Sequence, residues 1–165
     1  MRPDIYKIEQ IGSGFLAVMA KPVSGEWIAD EFRGIANLGV LRLVSLMETE
    51  EMRDVGLTRE PELCRENGMD YIHFPIRDRG LPPSLEKTVG FVKDLHAQVK
   101  SGKNTAIHCR AGIGRSGLIA ACVLVCEGHT PEDAFRSVSK ARKVDVPDTA
   151  EQREWLVRHR ALFSI

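Results

Sequence analysis

Residues 104–117 read NTAIHCRAGIGRSG, a stretch that joins two apolar runs of different length. The run at 105–107 has the length of a short buried parallel strand, whereas the run at 118–126 has helical length. The segment between them is therefore a turn from a strand into a helix. Glycines at 112 and 114 let backbone N–H groups point inward around an anion, and the helix N-terminus adds donors and a favourable dipole. The sequence thus predicts an anion-binding loop.

Three side chains of this loop indicate chemistry on phosphate. Arg115 offers two parallel donors that match the oxygens of a phosphate. The same donors stabilise the thiolate of a cysteine at the bottom of the loop, so Cys109 is a candidate nucleophile near neutral pH. The alternative is a buried structural cysteine beside a helix-capping serine, Ser116. That alternative leaves an arginine and two glycines in a tight turn unexplained.

The spacing of His108-Cys109, five residues, and Arg115-Ser116 resembles the phosphate-binding loop of the cysteine-dependent protein tyrosine phosphatases, in particular the small dual-specificity type. The resemblance implies a phosphomonoester hydrolase that forms a phosphocysteine, with Cys109 as nucleophile and Ser116 hydrogen-bonded to its sulfur. His108 is expected to brace the loop, because it points away from the bowl if Cys109 points in. The residues predicted to bind the substrate are Arg110, Ala111, Gly112, Ile113, Gly114, Arg115 and Gln152.

A second stretch, residues 76–83, reads IRDRGLPP and directly follows a predicted strand. Its glycine and prolines make it a loop, at the same end of a parallel sheet as the cysteine. In the family that the chain resembles, a mobile loop in this place holds the general acid, which implies that role for Asp78. The reaction needs an acid because the leaving oxygen must be protonated as the thiolate attacks. An aspartate in an ordinary turn is the alternative, and Asp70, at a strand start, is the competing acid.

Thr149 and Gln152 have the spacing of a capping box at the start of the last helix, a sufficient structural reason for both residues. The same stretch also resembles the kinase-associated and related small dual-specificity phosphatases, in which a threonine and a glutamine near this point face the active site. Both interpretations of Gln152 stay open on the sequence alone.

The rest of the chain predicts one α/β domain over residues 1–165. Helices between successive strands form βαβ units, so we expect a central, mainly parallel sheet of about four to five strands with helices on both faces. Glycines at 12 and 14 break the pattern near the start, which makes 15–19 the first predicted strand. The other strands are predicted at 40–47, 71–74 and 105–107, and the helices at 27–37, 61–67, 85–100, 118–127, from 131 and toward 163. The acidic run of Glu48, Glu50 and Glu51 is assigned to the solvated surface.

Composition limits the location and the partners. The 23 basic residues balance 23 acidic ones, so no overall charge attracts the chain to nucleic acid or to a membrane. The four cysteines lack the spacing of a secreted disulfide framework, and the first residues lack the pattern of a signal peptide. We therefore expect a cytoplasmic protein. Cys122 and Cys126 could share a helix face, but without further ligands nearby they are expected in the core, and no metal or cofactor is predicted. The apolar run at 118–126 is too short to span a bilayer.

A phosphorylated protein or peptide is the predicted substrate, with phosphotyrosine ahead of phosphoserine and phosphothreonine, and a monomer is favoured. The alternative is a phosphoinositide or another small phosphomonoester, but phosphoinositide-directed relatives carry lysines in the loop, where this chain has Ile113 and only Arg110 as a basic residue. A phosphate-binding module without turnover would have lost Cys109 or Asp78. A redox protein would need a resolving cysteine within the loop, and the loop has none.

Overall fold

The computed structural model describes residues 2–164, which form a five-stranded sheet covered by helices. The strands are β1 (Tyr6–Ile11), β2 (Gly14–Met19), β3 (Arg42–Ser45), β4 (Asp70–His73) and β5 (Thr105–His108). Their order in the sheet is β1-β2-β5-β3-β4, with β1 antiparallel to β2 and every other pair parallel. The predicted α/β fold with a mainly parallel sheet of four to five strands is confirmed.

Helices pack on both faces of the sheet, because successive strand residues point to opposite sides. Leu43 and Ala106 belong to one apolar cluster, whereas their neighbours Val44 and Ile107 belong to the other. The helices are α1 (Ile28–Asn37), α2 (Thr49–Asp54), α3 (Glu60–Glu66), α4 (Leu85–Lys100), α5 (Arg115–Cys126), α6 (Pro131–Arg142) and α7 (Ala150–Phe163). The first three contribute to the Leu43 cluster, and the last four contribute to the Val44 cluster.

Helix α5 is buried over all of its residues, since α4, α6 and α7 surround it. Cys122 and Cys126 lie in this helix as free, buried cysteines. Burial raises the pKa of the Cys126 thiol to about 11 and that of Cys122 well above its ordinary value. Among residues 2–164, no group of three or more His, Cys, Asp or Glu side chains is arranged to hold a metal ion. No helix in the same range is long and apolar enough to cross a membrane.

Strand β1 escaped the sequence-based prediction because two features hide it. A register shift between Lys7 and Glu9 interrupts the alternation of apolar and polar residues. Gly12, with φ of +60°, forms the tight turn of a β1–β2 hairpin in which Ile11 pairs with Gly14. These glycines therefore join two strands instead of ending an irregular segment.

Strands β2, β3 and β5 end together, because Met19 and Ser45 both pair with His108. The loops that follow these strands meet at this edge, and the acid loop (residues 76–83) follows β4 at the same edge. Asp70 pairs with Arg42 at the other end of the sheet, so the competing acid does not lie at the edge that carries Cys109.

Candidate active site

The cysteine loop (residues 109–116) connects β5 to α5, and its carbonyl groups are bonded away from the loop interior. The carbonyl of Arg110 accepts from the Lys21 backbone N–H at 3.1 Å. Arg142 donates from Nη2 to the Ala111 carbonyl at 3.0 Å and from Nε to the Gly112 carbonyl at 3.2 Å. With three successive carbonyls turned outward, the loop N–H groups are left to face a bound anion.

The two loop glycines are required by close packing. Gly112 has φ of +75°, and a Cβ there would lie 2.6 Å from the Met19 carbonyl oxygen. A Cβ on Gly114 would lie 3.0 Å from the Asp148 Cβ and 3.3 Å from the Gln152 side-chain amide. A larger residue at either position would push the loop off its support.

The loop surrounds a cavity of about 210 Å³. Five of the six predicted substrate-binding residues of the loop line this cavity, while Gly112 packs against the end of β2 and Gln152 lies fully buried behind Gly114. The lining residues are Asp78, Arg79, Cys109, Arg110, Ala111, Ile113, Gly114, Arg115 and Asp148.

Cys109 is the one cysteine among residues 2–164 that lines the cavity. Its sulfur lies 3.3 Å from the Ser116 hydroxyl oxygen, the contact predicted from the sequence. Burial raises the pKa of the Cys64 thiol to about 12, and the negative charge of Glu60 adds to that rise. These raised pKa values make Cys64, Cys122 and Cys126 poorer thiolate nucleophiles than an ordinary cysteine.

Arg115 is nearly fully buried, and acceptors hold most of its donors. Nη1 and Nη2 donate to the two carboxylate oxygens of Glu51 at 2.7 and 2.9 Å. Nη1 also donates to the Ile76 carbonyl at 2.8 Å, and Nη2 to Asp78 Oδ1 at 3.2 Å. Burial by itself would lower the pKa of Arg115, but hydrogen bonding to Glu51 and nearby negative charge raise it above its usual value. Nε has no hydrogen-bond partner among residues 2–164.

The assignment of the whole acidic run to the surface is wrong for Glu51. Its side chain is 14% exposed and forms the bidentate pair with Arg115. Burial alone would raise the pKa of Glu51, yet the Arg115 hydrogen bond and charge hold it below its ordinary value. Glu51 also caps the start of α2 together with Glu48, but this local contact gives no sign of its burial. Only the fold brings Glu51 beside an arginine 64 residues away.

A buried hydrogen-bonded pair whose carboxylate partner was also missed lies beneath the loop. His108 Nε2 lies 2.5 Å from Glu60 Oε2, and both side chains are fully buried. The other ring nitrogen, Nδ1, lies 3.1 Å from the Cys109 carbonyl oxygen, which can only accept. The second carboxylate oxygen of Glu60 has no hydrogen-bond partner among the described residues. His108 therefore connects the backbone of Cys109 to α3, on the side away from the cavity.

The acid loop reaches the cavity through Asp78, whose side chain is 58% exposed. The next residue, Arg79, has φ of +59° and donates to Asp148 Oδ2 at 2.8 Å. Gly80 accepts at its carbonyl from Gln152 Nε2 at 3.1 Å. The predicted capping box is present, with the Thr149 hydroxyl accepting from the Gln152 backbone N–H. Gln152 thus caps α7 and also contacts the acid loop.

Comparison with known proteins identifies the family. A family model described as "Tc-R-P: Polymorphic toxin system, DSP-PTPase phosphatase" matches residues 17–129. The chain belongs to this phosphatase family. The resemblance inferred from the cysteine loop is therefore confirmed.

Curated relatives and a solved structure agree with this assignment. The chain is 34% identical over 110 residues to phosphatidylglycerophosphate phosphatase PTPMT1 of Arabidopsis thaliana, covering 66% of this chain and 31% of that protein. It is 33% identical over 97 residues to human (Homo sapiens) cyclin-dependent kinase inhibitor 3, covering 58% of this chain and 45% of that protein. The chain thus spans less than half the length of these curated relatives.

Among solved structures, kinase associated phosphatase with its catalytic site cysteine replaced by serine superposes with a TM-score of 0.88. The match is 22% identical and covers 99% of this chain and 97% of that one, so it establishes the shared fold.

Proposed function

We propose that the protein hydrolyses phosphate monoesters on proteins or peptides, phosphotyrosine above all, through a phosphocysteine intermediate. The observation that carries this proposal is the joint lining of one cavity by Cys109, Arg115 and Asp78. Each of the three side chains has the chemistry that one step requires: a nucleophile, an oxygen-binding fork and a proton donor.

Arg115 is arranged to receive a phosphate on one edge of its guanidinium. Glu51 and the Ile76 carbonyl hold the rest of the group, which leaves Nε and the Nη2 hydrogen now directed at Asp78. A phosphate that takes these two donors displaces Asp78 from Arg115. The carboxyl of Asp78 is then free to approach the ester oxygen of the substrate.

In the first step the thiolate of Cys109 attacks phosphorus in line with the ester oxygen. The S–P bond forms as the P–O bond breaks, and Asp78 transfers its proton to the leaving oxygen. The loop N–H groups and Arg115 hold the three remaining oxygens while charge spreads over them.

In the second step Asp78, now a carboxylate, takes a proton from a water molecule that attacks the phosphocysteine. The new P–O bond forms, the S–P bond breaks, and inorganic phosphate is released. The Ser116 hydroxyl, 3.3 Å from the sulfur, donates to the departing thiolate. Asp78 is left protonated, ready to act as the acid again.

Two observations support a protein or peptide substrate. Ile113 lines the cavity and offers an apolar contact to an aromatic ring. One of the relatives is named as an inhibitor of cyclin-dependent kinase, which is itself a protein. The second candidate is a phospholipid or another small phosphomonoester, favoured by the 34% identity to a phosphatidylglycerophosphate phosphatase. The cytoplasmic location and the monomeric state stay predictions.

Release of inorganic phosphate from a substrate panel tests the proposal. The panel contains phosphotyrosine, phosphothreonine and phosphoserine peptides, phosphatidylglycerophosphate and phosphoinositides in vesicles, and Cys109→Ser is the matched control. We expect the largest kcat/KM on a phosphotyrosine peptide. A larger kcat/KM on either lipid favours the second candidate, and release no faster than from Cys109→Ser on every substrate overturns both.

A further inference from the structure

The tip of the acid loop, residues 77–79, has little packing of its own, whereas Ile76 and Pro82 on either side of it are buried. Its three consecutive residues Arg77, Asp78 and Arg79 are all exposed, and its one internal backbone bond joins the Gly80 N–H to the Arg77 carbonyl. A segment with so few buried contacts adopts one position only if other elements fix it. The position of this loop determines where the proton of Asp78 is delivered.

Gln152 supplies one of the fixing contacts, through an atom that helix capping does not use. Its Oε1 accepts from the backbone N–H groups of Asp148 and Thr149, which completes the cap of α7. Its Nε2 donates instead to the Gly80 carbonyl at 3.1 Å. A glutamate at this position would cap the helix equally well, so capping alone does not explain an amide.

Asp148 supplies a second contact by pairing with Arg79, whose backbone lies in the left-handed region at φ of +59°. This conformation is uncommon for a residue other than glycine and is retained where the surroundings impose it.

The same two residues also contact the cysteine loop. A Cβ on Gly114 would lie against both Asp148 and Gln152, at 3.0 and 3.3 Å. The segment that leads into α7, together with the first turn of that helix, therefore lies against the cysteine loop and bonds to the acid loop.

We propose that Gln152, assisted by Asp148, is a positioning residue that holds Asp78 at the distance from Cys109 needed for proton transfer. This inference rests on the proposed function, because it assigns a purpose to the spacing of the two loops. It replaces direct substrate contact as the role of Gln152, whose side chain is fully buried.

Gln152→Glu separates positioning from capping, since the carboxylate still caps α7 but opposes the Gly80 carbonyl with an oxygen instead of a donor. Thr149→Ala is the matched variant, because it removes a capping oxygen and leaves Nε2 of Gln152 in place. Both are measured on a phosphotyrosine peptide and on an aryl phosphate with a strongly acidic phenol, which needs little help from an acid.

We expect Gln152→Glu to lower kcat on the phosphotyrosine peptide by about tenfold or more, below the ceiling of about 10⁴ for complete loss of a general acid. On the activated aryl phosphate, kcat should change by less than about twofold, because the better leaving group departs without a proton. Thr149→Ala should lower the melting temperature and change the ratio of the two rates little.

Limited trypsin digestion gives a readout without turnover. Arg77 and Arg79 are exposed cleavage sites inside the acid loop, and release of the loop should speed cleavage there in Gln152→Glu and not in Thr149→Ala.

Failure of the proposed function and failure of the positioning role of Gln152 give different experimental results. A parent protein that turns over neither substrate overturns the proposed function. If the parent is active and Gln152→Glu loses the same factor on both substrates, or is cleaved at the parent rate, the positioning role is overturned.

Discussion

The cysteine loop and the acid loop carry complementary parts of the same site, yet they are held in opposite ways. The cysteine loop has its carbonyls bonded outward, both glycines packed tightly and the buried His108–Glu60 hydrogen bond beneath it. The acid loop is exposed at Asp78, and two side chains from outside the loop hold its neighbouring residues. The difference indicates that the loop around Cys109 is rigid, whereas Asp78 occupies a position that residues outside its loop can adjust.

The largest effect is expected from a substitution that changes the chemistry of the cysteine loop and keeps its structure. Cys109→Ser should remove measurable turnover, because the hydroxyl is a far weaker nucleophile at neutral pH. Phosphate or tungstate should still bind with an affinity close to that of the parent, since the loop donors and Arg115 remain. Isothermal titration checks binding, and turnover above that of a mock purification would contradict the covalent mechanism.

Asp78→Asn tests the role of the acid loop. General acid catalysis contributes about 10² to 10⁴ in rate, so kcat on a phosphotyrosine peptide should fall by that order. The loss should be much smaller on an aryl phosphate with an acidic phenol. Asp70→Asn, at the other end of the sheet, is the control and should match the parent on both substrates. Equal losses on the two substrates in Asp78→Asn would place the acid elsewhere.

Glu60→Ala tests whether the buried contact between Glu60 and His108 stabilises the cysteine loop. It leaves His108 fully buried without its hydrogen-bond partner, and a buried polar group left unpaired costs about 1–3 kcal/mol. The free energy of unfolding, measured with urea, should fall by that amount. Glu62→Ala is the matched control on the same helix, because its exposed pair with Arg59 contributes at most about 1 kcal/mol. Similar losses in both variants would show that burial of the His108 pair is not the cause.

A pH-dependent effect is expected from Glu51. Its pKa is lowered in the folded protein, so its contribution to stability is present above the ordinary value of 4.5 and is lost as pH falls through the lowered value. The midpoint of urea unfolding should therefore fall less between pH 5 and pH 3 in Glu51→Gln than in the parent. Glu50→Gln, exposed beside it, should follow the parent. An unchanged slope in Glu51→Gln would contradict the role of the Arg115 pair.

The smallest effect is expected from the ion pair on the acid loop. The Arg79 and Asp148 side chains are 64% and 40% exposed, and exposed pairs contribute about 0.2–1 kcal/mol. Asp148→Asn should therefore slow the phosphotyrosine reaction by about 1.4- to fivefold, which is that energy range expressed as a rate. The loss should decrease in high salt as the parent itself slows. Asp145→Asn, in the same loop, is the control, and a larger loss at Asp148 would indicate direct contact with substrate.

The parts of the site that the sequence predicted are those encoded locally. The cysteine loop is a continuous segment in which spacing, glycines and the following helix agree, and the Gln152 cap depends on a residue three positions away. Glu51, Glu60 and Arg142 lie 64, 48 and about 30 residues from their partners in the loop region, so no local pattern connects them. A carboxylate in the first turn of a short helix usually lies in solvent, and only the complete fold reveals which one is buried against a distant side chain.

The bonds from Arg142 to the loop carbonyls have a consequence for any attempt to trim the protein. The family match ends at residue 129, so Arg142 lies outside it, as does Tyr6, whose ring stacks 4.4 Å from the Arg142 guanidinium. A fragment cut to residues 17–129 would keep Cys109, Arg115 and Asp78. It would lose the two hydrogen bonds from Arg142 to carbonyls of the cysteine loop, which water would then have to replace. These three cavity residues and the arginine that holds the loop carbonyls therefore occupy different portions of the chain, so the shortest segment with the three residues lacks part of their support.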